Sequence, residues 1–191
     1  MKKAMLFIDG SNLFYDWKAA NPAHQLDIEK YIEYIKMQYK DMEFVRTYYF
    51  ISETANNGLF LKQINKIPFC QVITGRLQEK TVKIEQRHNL MCSNCNNLIE
   101  GTITTRIDKG TDVNIAVEML KHAYNGAYDT AVLVSRDADF AGVVKIIKDL
   151  GKNVELVLFD ASKNNAQELT ETVDNVMLIP ATAYSNLSRI P

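Results

Sequence analysis

Short apolar runs alternate along this chain with segments whose apolar residues recur every three or four positions. The runs are typical of buried strands, and they lie at residues 4–8, 44–51, 69–73, 130–135 and 154–159 and near residue 176. The recurring patterns predict amphipathic helices at residues 12–20, from residue 27 onward, and at 57–66, 112–123 and 140–150. This alternation predicts an α/β fold with a mostly parallel central sheet that helices cover on both faces.

One stretch, residues 75–107, does not follow the alternation. It begins with a polar, alternating run and continues into a Cys-Ser-Asn-Cys sequence, so we expect an inserted hairpin or arm. A chain of 191 residues suits one domain with a modest insertion. We therefore predict a single domain over residues 1–180 and a C-terminal tail over residues 181–191, with residues 185–191 frayed.

Four acidic residues stand where predicted strands end or a predicted helix begins. Asp9 follows the first apolar run, and Asp112 starts a helix. Asp137 and Asp139 follow the apolar run at residues 131–134. In open parallel sheets the carboxyl ends of the strands form the ligand crevice, so these acids are expected to meet there. Clustered carboxylates repel one another unless a cation lies between them, and oxygen ligands favour Mg²⁺ or Mn²⁺.

Each of these acids also has a structural interpretation. Asp9 precedes a glycine, and Asp-Gly pairs favour turns. Asp112 lies in the first turn of its helix, where the helix dipole stabilises an acid and Thr111 is the expected N-cap. One of Asp137 and Asp139 is expected to cap the helix that follows them.

The acids belong to three motifs. These read Phe-Ile-Asp-Gly-Ser-Asn-Leu at residues 7–13, Lys-Gly-Thr-Asp-Val at residues 109–113 and Ser-Arg-Asp-Ala-Asp-Phe at residues 135–140. In this order they resemble the motifs of the NYN-domain family, in the LabA-like branch of the PIN-like nucleases, and the resemblance spans roughly residues 1–159. It implies a three-layer PIN-like (Rossmann-like) fold and metal-dependent hydrolysis of phosphodiester bonds, with RNA as the favoured substrate.

The resemblance also implies roles for individual residues. The Mg²⁺ or Mn²⁺ ion would be held by Asp9, Asp112, Asp137 and Asp139. The candidates for contact with substrate are Ser11, Asn12 and Ser135 and, because of their charge rather than the resemblance, Lys109 and Arg136. From its position alone, Ser11 is also an expected N-cap of the first helix.

Arg136 departs from the family pattern, which usually has glycine at this place. A long cation beside the acids would either bind substrate phosphate or crowd or replace the metal ion. A binding module that holds RNA or a nucleotide without cleaving it is therefore the alternative function. A phosphatase of the haloacid-dehalogenase type is disfavoured, because that class needs a second Asp at the position of Ser11.

The net charge of −1 hides an uneven distribution. Residues 62–109 contain eight Lys and Arg residues against four acids, a net charge of +4, and the rest of the chain carries −5. A basic stretch beside an acidic metal site suits a phosphodiester substrate. A solvated charged surface explains the same charges equally well.

The three cysteines are an odd number, which argues against a disulfide framework. Cys92 and Cys95 have the spacing of a zinc knuckle, and His88 and Cys70 are candidate further ligands of a structural Zn²⁺. Two free thiols, or a site completed by another chain, are the alternatives.

The apolar pattern also bears on location and partners. No apolar run approaches the length of a membrane span, and the run after the first three residues is too short for a signal peptide. We therefore expect a cytoplasmic protein that acts on RNA and not at a membrane. The sequence leaves the oligomeric state open, a homodimer included.

Overall fold

A seven-stranded sheet forms the centre of the computed structural model, which describes residues 1–54, 56–83, 94 and 102–189. The strands are β1 (Lys2–Asp9), β2 (Met42–Ser52), β3 (Cys70–Lys83), β4 (Thr102–Lys109), β5 (Thr130–Val134), β6 (Asn153–Phe159) and β7 (Asn175–Ile179). Their order across the sheet is β4-β3-β2-β1-β5-β6-β7. Every strand pairs in parallel with its neighbours except β4, which runs antiparallel to β3. The prediction of a mostly parallel sheet is confirmed.

Helices cover both faces of the sheet and give the fold three layers. They are α1 (Gly10–Ala20), α2 (Ile28–Gln38), α3 (Gly58–Ile64), α4 (Thr111–Tyr124), α5 (Ala141–Asp149), α6 (Gln167–Thr172) and α7 (Tyr184–Leu187). Along β1, Met5 and Phe7 enter the core beneath α4, α5 and α6, whereas Leu6 and Ile8 enter the core beneath α1, α2, α3 and α7. Because alternate residues point to opposite faces, a strand covered on both faces must be apolar throughout, which explains the continuous run of residues 4–8.

The strand order reverses at β1. After β1 the chain passes through α1 and α2 to β2 on one side, and after β5 it passes through α5 to β6 on the other side. Such a reversal leaves a crevice beyond the carboxyl ends of the two central strands, because the connections diverge from it. The carboxyl ends of β1 and β5 therefore frame the expected ligand site.

The stretch that breaks the sequence pattern contains a hairpin. Strand β3 continues past the sheet edge, and its residues 76–83 pair antiparallel with residues 102–109 of β4. This pairing agrees with the hairpin predicted within residues 75–107, but the strand predicted at residues 69–73 is too short. The extension was missed because a two-stranded ribbon needs only its partner strand, not a continuous apolar run.

The prediction of a frayed end is wrong for residues 185–189. Leu187 is 1% exposed, and its carbonyl oxygen accepts a hydrogen bond from the Asp27 amide at 2.8 Å. The Arg189 amide donates to the Gln25 carbonyl at 2.8 Å. The helix α7 has only four residues, too few to display a periodic pattern.

The domain boundary at residue 180 stays a prediction. Within the described part of the chain, no helix combines the length and the apolar character needed to cross a membrane.

Candidate active site

Asp9 lies at the junction of β1 and α1 and is 1% exposed. It is the N-cap of α1, since its Oδ1 accepts hydrogen bonds from the amides of Ser11 at 3.1 Å and Asn12 at 3.0 Å. Its Oδ2 accepts from the Asn12 side-chain amide and from the Ser135 hydroxyl, the latter at 3.1 Å. The prediction that Ser11 caps this helix is therefore wrong, because the acid two residues earlier does so.

Burial raises the pKa of the Asp9 carboxyl, and the hydrogen bonds from Asn12, Ser135 and Ser11 oppose that shift. A carboxylate offers about four lone-pair positions, and these four donors use them. An ion at Asp9 would therefore need one donor to turn away. The backbone amides are fixed by the helix, but the Asn12 amide and the Ser135 hydroxyl can rotate.

Gly10 allows this acid to approach the sheet closely. A Cβ atom at Gly10 would lie 2.7 Å from the Phe50 carbonyl oxygen and 2.7 Å from the ring of Tyr49. Both distances are shorter than any real contact, so a side chain at this position would push α1 away from β2. Close packing, rather than a turn, explains the Asp-Gly pair.

Ser135 connects Asp9 to Asp137. The Ser135 hydroxyl donates to Asp9 Oδ2 and accepts a hydrogen bond from the Asp137 amide at 3.2 Å. Asp137 Oδ1 in turn accepts from the Asp139 amide at 3.0 Å and caps the short 3₁₀ turn of residues 138–140. One of the two acids thus caps, as predicted, but it caps this short turn, and the N-cap of α5 itself, Phe140, makes no side-chain capping bond. Asp137 is half-buried and Asp139 is exposed, so this chain of contacts runs from the buried carboxylate to the surface.

Arg136 points toward acidic and amide groups of α1. Its Nε lies 3.2 Å from Asp16 Oδ1 and 3.4 Å from Asn12 Oδ1. Asp16 is 6% exposed. Burial raises the pKa of the Asp16 carboxyl, an effect opposed by the charge of Arg136 and a hydrogen bond with Ser162 and reinforced by the charge of Asp9. The arginine is therefore the counter-ion of a buried acid.

Asp16 and Ser162 were missed in the sequence. Asp16 is four residues after Asn12, so the two side chains lie on the same face of α1. That polar pair, next to the buried Leu13 and Trp17, was a signal of a polar helix face, but it does not reveal the partners of Asp16. Ser162 follows β6, the next strand beyond β5, and so belongs to the same edge of the sheet.

Asp112 begins α4 at this edge of the sheet. In the strand register Asp9 is level with Phe50 of β2, and Gly75 of β3 pairs with Ser52, two residues further along. The end of β4 lies beyond that row, so α4 starts on the carboxyl side of the sheet and then packs against β1, β2 and β3. Asp112 is the second residue of α4 and is exposed.

The N-cap of α4 is Gly110, with a φ of 91°, so the prediction of Thr111 as the cap is wrong. Lys109, the last residue of β4, is exposed and pairs across the hairpin with the exposed Arg76. Two like charges directly opposite each other are unfavourable. An anion beside them would relieve that repulsion.

The structure brings together Asp9, Ser11, Asn12, Ser135, Arg136 and Asp137. Asp139 lies beside Asp137, and Lys109 and Asp112 lie at the carboxyl edge of the sheet, where β4 ends and α4 begins. Among the side chains that the structure describes, no three from His, Cys, Asp or Glu are arranged to hold a metal ion. The four-acid metal site therefore stays a prediction.

Three of the candidate zinc ligands, Cys92, Cys95 and His88, lie outside the described residues. Cys70 is a half-buried free thiol, and burial raises its pKa to about 11.

A model of the NYN domain family matches residues 3–180, nearly the whole chain. The chain belongs to the NYN domain family. NYN domains are part of the PIN-like nuclease superfamily, whose members generally use divalent metal ions. The LabA-like branch stays a prediction.

One solved structure agrees with the fold of this NYN domain. The crystal structure of a protein of unknown function from Vibrio parahaemolyticus has a TM-score of 0.63 and 18% identity, over 93% of each chain. That likeness shows a shared fold. A UDP-GlcNAc 2-epimerase from Methanocaldococcus jannaschii has a TM-score of 0.41 and 11% identity, over 98% of this chain and 42% of its own; so low a score supports no inference. Comparison with curated proteins finds no match.

The residues of this NYN domain fit a hard divalent cation. Asp9 is a buried carboxylate whose pKa burial raises, so a nearby positive charge would lower the cost of its ionised form. Asp137 is joined to it through Ser135 and reaches the surface. These ligands are oxygen atoms, as Mg²⁺ and Mn²⁺ prefer. Rotation of the Asn12 amide, with the Ser135 hydrogen bonds kept, would open the needed lone pair.

Proposed function

We propose that this NYN domain is a metal-dependent nuclease that hydrolyses phosphodiester bonds, with RNA as its substrate. The observation that carries the proposal is the hydrogen-bonded series Asp9–Ser135–Asp137, at the point where the strand order reverses. In this fold class the crevice at that point is where ligands bind. Carboxylates in such a crevice hold a hard ion while leaving coordination positions for water and phosphate.

Asp9, Asp112, Asp137 and Asp139 would hold the metal ion. Bound there, the ion supplies a Lewis acid for the phosphoryl oxygens and lowers the pKa of a bound water. The rest of the work falls to the protein. The amides of Ser11 and Asn12 fix the Asp9 carboxylate in one orientation.

Ser135 keeps Asp137 at a set distance from Asp9, because one hydroxyl bonds to both residues. The exposed pair Arg76 and Lys109 offers positive charge at the same edge of the sheet. Phosphate contacts of this kind position a nucleic acid without reading its sequence. Substrate phosphates would lie along the edge from this pair toward Asp9.

A second function, binding without cleavage, is favoured by Arg136. Its guanidinium already supplies one positive charge beside the acids, and the four donors on Asp9 leave no lone pair for an ion without rearrangement. If none of these four hydrogen bonds breaks, no metal ion can bind to Asp9. The domain would then bind RNA or a nucleotide without cleaving it.

Cleavage assays separate the two functions. Labelled single-stranded and duplex oligonucleotides of RNA and DNA are incubated with Mn²⁺, with Mg²⁺ or with a chelator. The matched control is Asp149→Asn, which changes an exposed acid at the end of α5, away from the crevice. We expect RNA cleavage that needs the metal, is lost in Asp9→Asn and persists in the control. Binding with no cleavage under any condition would establish the binding module instead.

A further inference from the structure

A cavity of about 630 Å³ lies on the opposite flank of α1 from Arg136 and Asp16. Its walls come from α1, the loop that follows it, the end of β2 and the start of α3. The volume is within the roughly 300–1,000 Å³ of small-molecule sites. No part of the proposed cleavage chemistry uses it.

Aromatic rings line this cavity. Trp17 and Tyr49 form its floor and are buried, whereas Phe14 is 58% exposed. Phe60 is half-buried and meets the Tyr49 ring edge-on, with centroids 6.1 Å apart. An exposed ring beside buried ones offers a face on which a flat ligand can stack.

The charge around the cavity is positive. Lys18 and Arg189 line it, and none of the described lining residues is acidic. A purely apolar ligand would gain nothing from these groups, but a polyanion would be attracted to them. An aromatic floor with a cationic rim matches a nucleotide, which has a flat base and a phosphate.

The cavity and the acids share one helix. Successive residues of an α-helix are about 100° apart, so Asn12 and Phe14 lie on opposite flanks of the first turns of α1. A nucleic-acid strand that crosses the start of α1 spans roughly one helix diameter, about 10–12 Å. One of its bases can enter the cavity while a neighbouring phosphodiester lies at Asp9.

We propose that this cavity binds a nucleobase of a single-stranded RNA next to the bond that is cut. The inference rests on the proposed function and adds a base-binding site to it. A base can stack on Phe14 only when it is unstacked from its neighbours, as in single strands. Duplex RNA would not place a base there, so the cavity makes the enzyme selective for unpaired segments.

Trp17 makes the proposal measurable. It is the only tryptophan of the chain and it lines the cavity, so a stacked base should quench its fluorescence. The full chain, freed of metal, is titrated with a short single-stranded RNA and with the duplex of the same sequence. The variant is Phe14→Ala, and the control is Tyr124→Ala, an exposed aromatic on α4.

We expect saturable quenching by the single strand and none by the duplex. Phe14→Ala should raise the Kd for the single strand about 5- to 150-fold, the range for loss of one stacked base, and Tyr124→Ala should not change it. Binding without quenching, or equal affinity in Phe14→Ala, would overturn the base site. So would a concentration-dependent change in size that Phe14→Ala abolishes, since it would make the cavity a contact between two copies.

Cleavage and quenching together test the base site and the proposed nuclease activity independently. Cleavage with Mn²⁺ that Phe14→Ala leaves unchanged would overturn the base site and keep the nuclease. Quenching that depends on Phe14, with no cleavage under any metal condition, would overturn the nuclease and keep the base site.

Discussion

Removal of Arg136 should destabilise the folded protein through Asp16. In Arg136→Met the side chain keeps its length but loses its charge, so the Asp16 carboxylate, 6% exposed, loses the guanidinium 3.2 Å away. A carboxylate with so little access to water cannot replace that partner by hydration. We expect the free energy of unfolding to fall at neutral pH.

The burial of the two partners sets the size of the loss. Breaking a fully buried ion pair costs about 3–5 kcal/mol, and an exposed pair contributes only about 0–1 kcal/mol. The Asp16 side chain is 8% exposed but that of Arg136 is 33% exposed, so solvent screens part of the interaction. We expect a loss of about 1–3 kcal/mol, an intermediate value. With a urea slope of roughly 2 kcal/mol per molar, the unfolding midpoint would fall by about 0.5–1.5 M.

The loss should depend on pH, because the charge of Arg136 opposes the burial that raises the pKa of Asp16. Without the arginine, the folded-state pKa of Asp16 rises further above its unfolded value. A carboxyl with a raised folded pKa is destabilising when ionised, and this penalty disappears as pH falls through that pKa and the group takes up a proton. The difference between Arg136→Met and wild type should therefore be largest at neutral pH and shrink toward pH 4.

Urea unfolding of both proteins at pH 7 and near pH 4 tests this prediction. Arg46→Met, at an exposed arginine on β2, is the control for loss of an arginine as such. Adding Asp16→Asn to Arg136→Met should restore most of the stability at pH 7, since the unpaired charge is gone. An unchanged midpoint in Arg136→Met at pH 7, or a loss equally large near pH 4, would refute the pairing of Arg136 with Asp16.

Three further predictions concern metals and the acids. Asp137→Asn should abolish metal-dependent cleavage and leave metal-free stability unchanged or raised; a thermal melt showing a loss of about 0.5–2 kcal/mol, with cleavage intact, would make it a simple cap. Ser135→Ala should weaken the effect of Mn²⁺ on cleavage about 10- to 100-fold, since it frees Asp9 from Asp137; an unchanged Mn²⁺ titration would contradict that. If Cys92 and Cys95 bind zinc, metal analysis should find about one zinc per chain, and protein purified without chelators but lacking zinc would exclude the site.

The strands of the sheet were predictable because burial on both faces leaves a direct record in the sequence. Residues 4–8 and 131–134 are apolar without interruption, and the structure buries them completely. Acids that immediately follow such runs must lie at the carboxyl edge, so the neighbourhood of Asp9 and Asp137 could be inferred without coordinates. Contacts that depend only on strand ends are predictable in this way.

Contacts were not predictable where they depend on which face of a helix a residue occupies and on partners from distant segments. Asp16 is a single acid on a largely apolar helix, and its burial follows from Arg136 and Ser162, which are far away in sequence. The capping of α1 by Asp9 was missed for a local reason: the helix begins two residues earlier than the apolar pattern indicates. Likewise, β3 is longer than its apolar segment because β4 pairs with its polar end.

The pairing of Arg136 with Asp16 bears on the choice between cleavage and binding. Where the family usually has glycine, this chain has a cation, which taken alone would lessen the need for a metal ion. Asp16 is an acid outside the three motifs, however, and its Oδ1 lies beside the guanidinium. One added positive charge is thus balanced by one buried negative charge, and within the part of the chain that the structure describes neither Asp9 nor Asp137 forms an ion pair. A bound cation would therefore still stabilise the ionised forms of Asp9 and Asp137, which supports the nuclease over the binding module.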